Sequence, residues 1–144
     1  MTKAQNLENH AKFVPGYHIV AFGILMINLF WCIYTAIHAF SAQSAISLLL
    51  AVAFLLLFFY ARIFALRVQD RVIRLEMQLR LQQLLPADLR SRITEFEVPQ
   101  LIALRFASDQ ELGELARKVL DEKIQDRKTI KKMVKNWQPD YLRA

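Results

Sequence analysis

The chain has 144 residues, of which 55% are hydrophobic, and its 19 Lys and Arg against 13 Asp and Glu give a formal net charge of +6. These charges are segregated, for residues 13–61 contain no Asp, Glu, Lys or Arg. That distribution argues against a soluble domain with one buried core, and the single Cys32 excludes an intrachain disulfide.

Residues 1–13 form a polar N-terminal segment, ended by Pro15-Gly16, which interrupts any helix. Tyr17 and His18 suit the headgroup level of a bilayer, where amphipathic rings settle. A first span is expected over about residues 18–40. Its Ala21, Asn28, Cys32, Thr35 and Ala39 share one narrow helical face, and Leu, Ile and Phe occupy the rest. Small and polar residues let helices approach closely in lipid, so this face should meet protein. The Asn28 amide, near mid-bilayer, calls for a partner on the second span or on another subunit. A signal peptide is the rival reading, but the apolar run from Ile19 to Phe40 is too long for its hydrophobic region.

The uncharged Ser41-Ala-Gln-Ser44 reads as a turn, and the second span as residues 45–66. Ser44, Ser47 and Ala51 offer a small face to the first span, and Phe54, Phe58, Phe59, Tyr60 and Phe64 crowd the other end. Arg62 and Arg67 are placed to snorkel to headgroups. No Pro or Gly occurs between Ala45 and Leu85, so the second span should continue as one helix of roughly 60 Å, about twice the hydrocarbon thickness.

Beyond Leu66 that helix carries two apolar stripes. Val68, Val72, Leu75 and Leu79 form one, and Ile73, Met77, Leu81 and Leu84 the other. A lone surface helix needs one apolar face, so two imply neighbours on both sides. Short amphipathic helices follow. Pro86 and Pro99 each open one, Ser108-Asp-Gln-Glu111 is a capping box, and Asp126 caps a last helix running to Trp137 and ended by Pro139. Trp137, beside Ile130, Met133 and Val134, is the expected anchor of this cytoplasmic core. These helices are too small to bury much alone and should use the second stripe of the long helix.

No catalytic constellation, phosphate loop or cysteine cluster occurs, so no enzyme, metal or cofactor is expected. His38 lies roughly 30 Å of helical rise from His18, so His10, His18 and His38 cannot share a site, and hydrogen bonding is the reading for His10 and His18. The lysines of the last helix could touch phosphates, but lysines alone cannot read bases, so nucleic acid is not expected as a partner.

Several stretches together resemble a family of small two-span bacterial inner-membrane proteins of unknown function. They are Asn9-His10-Ala11, Val14-Pro15 with Tyr17-His18, Val68-Gln-Asp-Arg-Val-Ile-Arg-Leu-Glu76, Gln100-Leu-Ile-Ala-Leu-Arg-Phe-Ala-Ser-Asp109 and Ile130-Lys-Lys-Met-Val-Lys-Asn-Trp137. The resemblance implies a bacterial two-span membrane protein and carries no activity.

The expectation is therefore an all-α integral membrane protein, with a transmembrane hairpin over residues 14–66 and a small cytoplasmic helical domain over residues 67–144. Lys3 and Lys12 precede the hairpin and the other Lys and Arg follow Ala61, so the positive-inside rule puts both termini in the cytoplasm. The expected partners are the bilayer, its anionic headgroups, further copies of the chain and a larger membrane complex. The expected role is that of a self-assembling scaffold or accessory subunit, with an oligomeric channel or transporter-like protein as the alternative.

Overall fold

The computed structural model describes residues 13–140, and every element in that range is helical. Helix α1 spans Gly16–His38. Its first six residues, Gly16–Ala21, wind as a π-helix, and the regular α-helix runs over Phe22–His38. A short uncharged turn leads into α2, Ala42–Leu84, which has 43 residues without a break. Then come α3 (Ala87–Arg90), a 3₁₀ turn (Ile93–Glu95), α4 (Val98–Leu104), α5 (Asp109–Asp121) and α6 (Arg127–Met133). By their contacts the described residues divide into a hairpin unit, residues 13–65, and a helical module, residues 66–140.

In the hairpin unit the second helix starts at Ala42, three residues earlier than expected from the sequence. The cause is a reciprocal pair of serine bonds. The Ser44 N–H donates to Ser41 Oγ at 3.1 Å, and the Ser41 N–H donates to Ser44 Oγ at 2.9 Å. Ser44 thus fills the role that Glu or Gln has in a capping box, and the donors of the first turn are met without a charge. Aromatic contacts tie the two helices at the other end. The Tyr17 and Phe58 rings stack 4.1 Å apart, and the Tyr17 hydroxyl donates to the Phe58 carbonyl at 2.6 Å. Phe22 packs near Phe58 and Phe59, with centroid distances of 5.9 and 6.2 Å.

The burial pattern of this unit is the inverse of a soluble fold. Its buried residues are small: Cys32, Ser44 and Ala51. Large apolar side chains such as Ile27, Phe30, Trp31, Leu49 and Leu57 point outward. Both α1 and the first part of α2 are long and apolar enough to cross a membrane.

The helical module is built the other way round. Ile73, Met77, Leu81 and Leu85 of α2 join Leu89, Ile93, Leu101, Leu104, Leu112, Val119 and Ile130 in one core. Leu85, not Leu84, closes the covered stripe, and Leu84 is 39% exposed. Local sequence sets the short helices. Pro99 sits in the first turn of α4, where its missing N–H costs no bond, and the Glu97 N–H donates to Gln100 Oε1 at 2.8 Å. The Ser108 N–H reaches Glu111 Oε1 at 3.2 Å, and Asp126 accepts from the Thr129 N–H at 2.8 Å.

The last helix departs from the sequence expectation. It stops at Met133, well short of Trp137. Glu111 is the reason, because its carboxylate accepts from the Lys135 and Asn136 N–H groups, both at 3.0 Å. Those donors leave the helical ladder, and the chain turns extended. The Gln138 N–H then bonds the Phe106 carbonyl at 2.7 Å, beside a bridge between Ala107 and Trp137.

Candidate functional site

The residues singled out in the spans lie within the hairpin unit, and hydrogen bonds join three of them along α1. Cys32 is buried, and its thiol donates to Asn28 Oδ1 at 3.1 Å. Asn28 itself is exposed on α1, at the edge of the face that meets α2. Its neighbours on the helical wheel explain this, since the interface centres on Cys32 and Asn28 falls to one side. The Thr35 hydroxyl donates to the Cys32 carbonyl at 3.0 Å, a bond internal to α1. Ser47 is half-buried on α2. Near the other end, His18 Nδ1 lies 3.1 Å from the Val14 nitrogen and 3.0 Å from its carbonyl, and the ring stacks on Phe13. Arg62 is half-buried, and Arg67 is exposed. His10 lies outside the described residues. Among the described residues no cluster of His, Cys, Asp or Glu could hold a metal ion.

The module brings together groups that sequence reasoning did not connect. Arg80 projects from α2, and its guanidinium donates to the Arg105 and Ala107 carbonyls at 3.2 and 2.6 Å, to Asp109 Oδ1 at 2.6 Å and to Gln138 Oε1 at 3.1 Å. One planar fork thus fixes the end of α4, the start of α5 and the extended C-terminal segment to the long helix. Trp137 stacks 4.3 Å over the fully buried Phe106, with Arg105 against the same ring at 4.6 Å. Nothing local marks Arg80 for this role, because its partners lie 25 or more positions away.

Two exposed ion pairs brace the module further, Arg117 with Asp88 at 2.7 Å and Arg92 with Asp121 at 2.9 Å. The Asp88 carboxyl is held below its ordinary range, chiefly by its hydrogen bond with Arg117. Between α5 and α6 an open groove of about 320 Å³ is lined by Glu111, Glu114, Lys118, Lys132 and Lys135 among others. Its acidic and basic groups alternate, so it offers no field of one sign to a charged ligand.

The feature with the clearest chemical consequence is on α2. Ile73, Met77 and Leu81 are covered by the module's own helices. The other stripe is bare, with Val68 62%, Val72 46%, Leu75 62% and Leu79 60% exposed. At about 100° per residue the two stripes fall on opposite sides of the helix. Single exposed apolar residues are ordinary, but four in register on one rigid face form a patch fit for another surface.

No curated protein and no solved structure matches the chain. A family of unknown function, DUF6526, matches residues 1–144, and the chain belongs to that family.

Proposed function

We propose that the protein is a non-enzymatic integral membrane protein of the bacterial inner membrane, a self-assembling scaffold or an accessory subunit of a membrane complex. In this reading the hairpin spans the bilayer with both termini in the cytoplasm, and the module stands on the cytoplasmic side. The bare stripe Val68, Val72, Leu75 and Leu79 carries the assembly part, because its own module covers the opposite stripe and leaves this one for a partner. Outward-facing Ile, Leu and Phe on both hairpin helices support insertion, since such a surface gains about 25 cal/mol per Å² on leaving water. The uncharged turn and the Lys and Arg after Ala61 support the orientation.

Mass determination of the complex in native lipid tests the reading, and more than one copy, or a copy with a second protein, is the expected result. A lone subunit in native lipid would overturn it. For the orientation, an externally added thiol reagent should label Phe40→Cys and leave Lys135→Cys untouched, both in a Cys32→Ser background.

A further inference from the structure

Resting on that self-assembly, we infer that the partner of the bare stripe is a second copy of the same helix, running parallel and in register as a short two-stranded coiled coil. The spacing carries the first part of the argument. Val68, Val72, Leu75 and Leu79 are separated by four, three and four positions, the alternation of a 3.5-residue repeat. Assigning Val72 and Leu79 to heptad position a makes Val68 and Leu75 position d. The central pair, Val72 at a and Leu75 at d, is the β-branched and leucine pairing that favours two strands, and Val68 and Leu79 extend the seam with the two residue types exchanged.

Flanking charge selects the orientation. Arg71 then occupies g and Glu76 occupies e, and both are exposed. In a parallel in-register pair, g of one helix meets the e five residues later on its partner. Arg71 thus faces Glu76 of the other copy, twice by symmetry. An antiparallel pair sets g against g and e against e, which loses both attractions. Two copies inserted the same way in one bilayer are also already parallel.

The module does not obstruct this pairing. Its core takes Ile73 at b and Met77 at f, the positions farthest from the seam, and both are buried there. The seam is short, and a coiled coil of under three heptads is marginal in water. Confinement of both helices to one membrane raises their effective concentration, which lets a short seam hold.

The test uses the full chain in proteoliposomes, in a Cys32→Ser background, with single cysteines scanned from Val68 to Leu79 and oxidised to disulfides. Same-residue crosslinks should form at Val72→Cys, Leu75→Cys and Leu79→Cys and be absent at Arg74→Cys, which lies off the seam. Adding Arg71→Glu should lower the Leu75→Cys yield roughly fivefold, and Arg71→Glu with Glu76→Arg should restore it. Equal crosslinking at Arg74→Cys, or none at the seam positions, overturns the inference. If energy transfer between labelled subunits persists without seam crosslinks, self-assembly stands and only this seam fails. If both are lost, the two readings fall together.

Discussion

The hairpin unit and the helical module spend the same residue types in opposite ways. The hairpin buries Cys32, Ser44 and Ala51 and turns Ile27, Phe30 and Leu49 outward, whereas the module buries Leu81, Leu101, Phe106 and Ile130 completely. Hydrophobicity alone therefore does not say what is inside. Where water is the solvent, large apolar side chains gain by meeting each other. Where the surround is itself apolar they gain nothing by it, and small residues win the contact because they let backbones approach. The stripe on α2 matters because it breaks the pattern, being apolar and bare within the unit that otherwise hides such groups.

The sharpest test of this contrast is paired truncation. Leu81→Ala should destabilise the module by about 2–5 kcal/mol, as for other fully buried leucines, and lower its protease resistance. Ile27→Ala, at a site 72% exposed, should leave the resistance of the module unchanged. A comparable loss from both would mean that the two units share one core.

Arg80 offers the next largest effect, because its removal takes a donor from the Arg105 and Ala107 carbonyls and an ion-pair partner from Asp109. Arg80→Ala should cost about 2 kcal/mol in chemical denaturation, and Arg80→Lys should recover little, since an ammonium cannot reproduce the fork. Full rescue by lysine would reduce the contact to simple charge. Glu111→Ala should cost less, about 1 kcal/mol, and should act on the extended C-terminal segment in particular. Its signature is a change in tryptophan fluorescence as Trp137 loosens from Phe106, read in a Trp31→Phe background so that Trp137 alone reports.

The smallest effect is set by pH. The Asp126 carboxyl sits below its ordinary range, first through the Thr129 hydroxyl and then through the Thr129 N–H. A carboxyl lowered in the folded state contributes its stability above the unfolded pKa of about 3.9, and loses it as pH falls through the lower folded value. The gap in stability between the wild type and Asp126→Ala should therefore narrow between pH 7 and pH 3. A gap of the same size at pH 3 would remove the carboxylate from the cap.

Much of this architecture is local and so can be read from the chain. The unbroken α2 follows from the lack of Gly and Pro before Pro86, and the starts of α4, α5 and α6 follow from Pro99, Ser108 and Asp126. What escaped depends on distant partners. Glu111 takes the amides of Lys135 and Asn136 and ends α6 early, a contact that no window around Met133 contains. The covering of Ile73, Met77 and Leu81 by the module follows the expectation for the second stripe, and only its end differs, at Leu85 in place of Leu84.

The serine pair at the start of α2 bears on how the hairpin would enter a bilayer. In the proposed topology, with both termini on one side, the turn is the part that must be carried across first. It has no charge to shed, and Ser41 and Ser44 already meet each other's donors. In that topology the uncharged turn would keep the barrier to translocation low. An added lysine or aspartate in the turn would then slow insertion while leaving the inserted hairpin as stable as before.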